Sequence, residues 1–252
     1  MVGMGTVPGL LQAIRREVKM EDPSPINKYL GCVHDLSRTS ERTTMTWSVS
    51  SYLDAACKHF EALSGTKLGY SATPFASDIP RDRMDSNLKS EGRWGSHSAS
   101  LLMRLLYPAR MAFPPLVLPI QRLAKRCTKW CAECDRRLVR LFEYCKFAAS
   151  WTLQGELGTA DLNRVELMVY ADADLAGNSW DTKSTTGIWV ELASGQRSWP
   201  VSWASKTQPA TSPHTRGRDG IIVHRHQDGS SSAADPAVNV AVAPYSRPPV
   251  RR

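Results

Sequence analysis

The chain of 252 residues has no apolar run long enough to cross a bilayer; its longest uncharged apolar stretch, residues 111–121, is interrupted by Pro114, Pro115 and Pro119. Residues 1–11 lack the basic start and following apolar run of a secretory leader. Acidic residues are also scarce. Asp plus Glu number 24 against 32 Lys plus Arg, giving a net charge of +8 and a pI near 9.3. That excess favours polyanionic partners without identifying one. The six cysteines have no regular spacing, which argues for reduced thiols rather than a disulfide framework. These absences set the expectation of a soluble, non-secreted protein of the cytoplasm or nucleus with no membrane partner. A hydrophobic share of 42% supports a packed core.

Apolar residues at helical spacing predict a helix over residues 8–18, behind Pro8 and before Pro23 and Pro25. A second is predicted over 48–63, with Val49, Leu53, Ala56, Phe60 and Leu63 on one stripe and Gly65 just past its end. Residues 65–95 are rich in Pro, Gly, Ser and charge and predict a long loop. A third helix is expected over 97–113. After the prolines, the strongest helical pattern runs from about Ile120 to Phe147 as one continuous element. Arg104 to Lys146 carries ten basic and three acidic residues, so the face opposite that apolar stripe is expected to be strongly cationic. Beyond Gly158 the pattern changes to β-branched and aromatic runs at 165–172, 185–193 and 198–205 with short connections, which predicts consecutive antiparallel strands. From Pro209 periodicity is lost, and the tail is expected to be disordered.

Cys131 and Cys134 have the C-x2-C spacing of zinc ligands, with Cys127 one turn before. All three fall on the apolar stripe of the predicted helix and no second Cys or His pair accompanies them, so packing as small hydrophobes is the better account. The six histidines are scattered, and the glycines at 3, 5 and 9 have neither a preceding strand nor a following Lys-Ser or Lys-Thr, which argues against a phosphate loop. The informative stretch is Tyr-Ala-Asp-Ala-Asp-Leu-Ala-Gly-Asn, residues 170–178. By the two-residue period of a strand it presents Asp172 and Asp174 on one face just before a turn. Two carboxylates there suit a divalent cation; they equally suit the capping of a strand-to-turn transition.

That stretch, the DTKSTTG of 181–187 and the SWPVSWASKTQPATS of 198–212 together resemble the ribonuclease H domain of copia-type retrotransposon polyproteins. Upstream, KYLGCVHDLS (28–37), LLMRLLYPARMAFPPL (101–116) and LVRLFEY (138–144) resemble the segment that joins the reverse transcriptase to that domain. The resemblance covers most of residues 8–215. It implies an α+β chain: a mostly helical, connection-like region over 1–157, a partial ribonuclease H-like antiparallel sheet over 158–215, and the disordered tail over 216–252.

Ribonuclease H chemistry uses a cluster of about four carboxylates around two Mg²⁺ ions. The resemblance makes Asp172 the first of these, the catalytic residue, and Asp172 with Asp174 the metal ligands. It also implies a nucleic-acid partner, an RNA–DNA hybrid or RNA, with the basic residues Arg122, Lys125, Arg126, Lys129, Arg136, Arg137 and Arg140 as a nucleic-acid surface. A family Glu expected on a helix after residue 208 is missing: the place holds Pro213, His214, Thr215, Arg216, Gly217, Arg218 and Asp219. Mg²⁺ binding in this chain is therefore doubtful. Codons CGA GGC CGA GAT GGC ATC for residues 216–221, read one base later, encode Glu-Ala-Glu-Met-Ala, so a frameshift near codon 216 would leave the tail out of frame. No Asp-Asp dipeptide occurs, so polymerase activity is not expected either. The expected protein is a remnant of a copia-type polyprotein, inactive as encoded; the alternative is a small basic nucleic-acid-binding module repurposed from a transposon.

Overall fold

A computed structural model describes residues 7–20, 22, 25–75, 90–174, 184–208, 220–223 and 240–243. Helix α1 (Val7–Glu17) is followed by β1 (Lys28–Tyr29), β2 (Cys32–Arg38), β3 (Arg42–Ser48) and α2 (Ser50–Ser64). Then come α3 (Ser98–Met111), α4 (Val117–Ala124), α5 (Ala132–Phe147) and β4 (Leu153–Gly158). Strands β5 (Glu166–Asp174), β6 (Thr185–Ser194) and β7 (Arg197–Thr207) form a second sheet, and β8 (Gly220–Val223) pairs with β9 (Val240–Ala243). The class is α+β, with helices and antiparallel sheets.

The predicted helices at 8–18, 48–63 and 97–113 are present within two residues of their expected ends. Gly65 closes α2 in the left-handed conformation, φ 70°, its N–H bonding the Glu61 carbonyl. The region before residue 157 is less helical than expected, because it also holds a four-stranded sheet in the order β1-β2-β3-β4. Leu30 and Gly31, at φ 48° and 89°, form the two-residue turn between β1 and β2; positive φ at both matches the twist of a tight hairpin. In the next hairpin the Thr39 hydroxyl accepts from the N–H groups of Glu41 and Arg42. β4 then returns from beyond α5 to pair with β3, Trp47 opposite Leu153 and Arg42 opposite Gly158.

The continuous helix expected over 120–147 is two helices. α4 ends at Ala124, Cys127–Lys129 make one 3-10 turn, and Trp130 and Cys131 are extended, Cys131 at φ −137° and ψ 171°. The break has a tertiary cause. Glu91 pairs with Cys131 as a β-bridge, and the Ala132 N–H bonds the Ser90 carbonyl at 3.1 Å, which takes backbone groups that a continuous helix would use internally. Cys127 is therefore not on one helical stripe with Cys131 and Cys134.

The main core lies among α2, α3, α4 and α5. Phe60 of α2 stacks on Phe142 of α5 with centroids 4.3 Å apart, Trp94 meets Phe60 edge-on, and Leu53, Leu101, Leu102, Leu105, Leu116, Leu138 and Leu141 are buried around them. Truncating one such ring costs about 3–5 kcal/mol.

β5, β6 and β7 are consecutive and antiparallel, as the sequence predicts, with a bulge at Val190/Glu191. Trp203 of β7 docks this sheet on the helices. Its indole N–H donates to the Ala109 carbonyl of α3 at 2.7 Å, and Gln121 of α4 bonds both Ser205 and Thr207. Trp199 meets Trp47 of the first sheet edge-on at 5.4 Å, while Ile188 and Val201 stay exposed. Glu156 takes ion pairs from Arg42 and Arg197, so the two sheets share a polar seam as well.

The tail is not disordered throughout. Its β-branched runs at 220–223 and 240–243 pair antiparallel, Ile221 opposite Val242, because such residues favour extended backbone wherever a partner strand is offered. The rest of the expected disorder, and the missing-Glu segment at 213–219, lie outside the described residues.

Candidate metal and nucleic-acid site

β5 places Asp172 near the end of the strand, exposed and opposite Gly187 of β6, which in turn is opposite Ser205 of β7. One pleat earlier on the same face, Tyr170, Trp189 and Trp203 lie in register across the three strands. The two indoles stack with centroids 5.6 Å apart. The Glu191 carboxylate accepts from the Tyr170 hydroxyl at 3.1 Å and the Trp189 indole at 2.8 Å. Sequence reasoning missed this aromatic row; its signal was the alternation of Trp189 and Glu191 with β-branched residues along β6.

Glu191 is the described acid on this face of β6, yet it does not join Asp172. It lies four residues from Gly187, about 13 Å along the strand at roughly 3.3 Å per residue. Asp174 is opposite Thr185 in the backbone register, and its side chain lies outside the described residues, as do Asp181 and Asp219. Among the described residues no three His, Cys, Asp or Glu side chains gather to hold a metal. Mg²⁺ takes near-octahedral oxygen ligation, so the one described carboxylate does not by itself fit a two-ion site. Toward the start of β5, Arg164, Glu166, Met168, Tyr170, Glu191 and Arg197 line an open cleft of about 500 Å³.

The seven basic candidates do not form one exposed face. Arg137 is buried, its Nε 2.6 Å from a Glu133 carboxylate oxygen, and Glu133 is only 2% exposed. Arg136 forks onto the same carboxylate at 2.7 and 2.8 Å. Burial alone would raise the Glu133 carboxyl, but the hydrogen bonds from Arg136 and Arg137 outweigh it and hold the group below the usual range. Arg140 donates to the Phe75 carbonyl and the Thr73 hydroxyl, and Arg122 lies over the Phe75 ring at 4.8 Å. Arg126 is half-buried beside Cys134. Lys125 and Lys129 are exposed at the helix break, and Arg104 and Arg110 on α3 are exposed too. The cationic stripe expected over 104–146 is thus divided: part of it fastens loops and a buried acid, and the remainder faces outward.

Among the described residues no helix is long and apolar enough to cross a membrane. Comparison with protein-family models, with curated proteins and with solved structures finds no match.

Proposed function

We propose that the chain is a catalytically silent copy of the region joining reverse transcriptase to ribonuclease H in a copia-type retrotransposon polyprotein, together with the start of the ribonuclease H domain. Its ancestral task is cleavage of RNA in RNA–DNA hybrids. The observation that carries this reading is the sheet β5-β6-β7, antiparallel in chain order, with Asp172 at the end of its first strand where the resembling motif puts the first catalytic carboxylate. Silence follows from the missing family Glu: the place holds Pro213 to Asp219, and without that acid the carboxylate cluster that holds two divalent ions and activates water is incomplete. Purified full-length protein given Mg²⁺ and a labelled hybrid should cleave no faster than Asp172→Asn. Cleavage that Asp172→Asn abolishes would overturn the proposal.

The frameshift accounts for the missing Glu, and sequencing the transcript across codons 212–230 tests it; codons incompatible with Glu-Ala-Glu in the shifted frame would refute it.

A second reading, a basic nucleic-acid-binding module, is favoured by the exposed Arg104, Arg110, Lys125 and Lys129. Its test is binding of the full chain to duplex nucleic acid across a salt series. Affinity should fall steeply as salt rises if phosphates are the contacts, and salt-independent binding would refute the module.

A further inference from the structure

We propose that Cys131 and Cys134 form a redox site, a reversible disulfide at the start of α5 for which hydrogen peroxide is the oxidant. The two sulfurs are 3.5 Å apart, and the Cys134 N–H bonds the Cys131 carbonyl at 2.9 Å, so the backbone already holds the residues in a single turn. Cys131 is extended and caps the helix, and Cys134 lies within its first turn. Small side-chain rotations bring such sulfurs to bonding distance, about 2 Å. Both are free thiols.

Two features assign the roles. The Cys131 sulfur sits just ahead of the first turn of a sixteen-residue helix, on the extended residue whose backbone pairs with Glu91. Cys134 is fully buried, its thiol pushed up to about 11 chiefly by that burial, while the Arg126 guanidinium donates to its sulfur and opposes the shift. Cys131 is therefore the nucleophile and Cys134 the resolving thiol. The Cys131 thiolate attacks one peroxide oxygen, the O–O bond breaks, and the departing hydroxide takes a proton to become water. The resulting sulfenic acid is attacked by the Cys134 sulfur; the S–S bond forms, the S–O bond breaks, and a second water leaves. Two thiols lose two electrons and two protons, and one peroxide is reduced to two waters.

The site lies under a strap. Arg93 and Trp94 donate backbone N–H groups to the Asp135 carboxylate, the Trp130 indole donates to the same carboxylate at 2.6 Å, and Gly92 is so close that a Cβ would meet the Trp130 ring at 2.5 Å. A peroxide molecule is small enough to reach the sulfurs through local opening of this strap.

Full-length protein is treated with hydrogen peroxide, free thiols are alkylated, and the chain is digested with trypsin. Residues 130–136 leave as one peptide carrying both cysteines, separate from the peptide of Cys127. The proposal expects that peptide to be two hydrogens lighter and unalkylated after oxidation, and doubly alkylated after subsequent reduction with dithiothreitol. In Cys131→Ser, with an unchanged circular dichroism spectrum, Cys134 should remain alkylatable under the same peroxide. Overturning results are two alkylated cysteines after oxidation, irreversible sulfinic acid at either, or a cross-link to the Cys127 peptide.

Discussion

Replacing Glu133 by Ala leaves the Arg137 guanidinium buried with its counter-charge removed. Arg137 is 7% exposed and Glu133 2%, so water does not substitute for the lost carboxylate without opening the start of α5. Breaking a buried pair by deleting one partner costs about 3–5 kcal/mol. Against a domain stability of about 5–15 kcal/mol, this removes from about a fifth of the margin to all of it. Glu133→Gln keeps an acceptor and should lose less, about 1–3 kcal/mol. The double replacement Glu133→Leu with Arg137→Met removes both charges and should be neutral or stabilising by about 1–4 kcal/mol, with Arg136, the more exposed of the two arginines, turning to solvent. The pair also has a pH signature. Because the carboxyl is held below its usual value of 4.5 when folded, it contributes stability that is fully present above 4.5 and is lost as pH falls through the lower folded value. Urea denaturation followed by tryptophan fluorescence, at pH 7 and in a series below 4.5, measures all of these. A loss under about 1 kcal/mol for Glu133→Ala, a double replacement as unstable as the single one, or an unchanged acid limb in Glu133→Gln would refute the buried-pair account.

Gly155→Val should destabilise by about 1–3 kcal/mol through overpacking, since even a Cβ at this position would meet the Trp199 ring at 2.9 Å and Pro200 at 3.1 Å; an unchanged urea midpoint would mean that the two sheets do not meet there. Leu30→Asn should stabilise by about 1 kcal/mol, because Leu30 sits at φ 48° and is 67% exposed, so relief of the left-handed penalty exceeds the lost burial; a lower melting temperature would contradict the turn. Trp203→Phe keeps the ring against Trp189 and leaves the Ala109 carbonyl without its donor, a loss of about 1–3 kcal/mol by denaturant titration. No loss there would show that the second sheet does not dock on α3.

The candidate site was partly legible. Asp172 at a strand end follows from the two-residue period of residues 166–174, a local property, and the structure keeps it there. The aromatic row beside it was hidden, because Tyr170, Trp189 and Trp203 become neighbours only through the registers of two hairpins and a bulge. The basic candidates were legible as charge but not as surface: Arg137 and Lys129 look equivalent along the chain, and only the partners brought by Glu133 and the strap distinguish them.

By itself the sequence determined what depends on neighbours within a turn or a pleat. It set the amphipathic stripes of α2 and α3, the glycine stop at residue 65 and the strands β5 to β7, because helical and strand periodicities are written in consecutive residues. Tertiary structure alone decided the rest. β4 has two glycines in six residues and finds its place only against β3, more than a hundred positions earlier. α4 and α5 separate because residues 90 and 91 claim the backbone of Cys131 and Ala132, and a backbone hydrogen bond to a distant segment leaves no trace in the local pattern it interrupts.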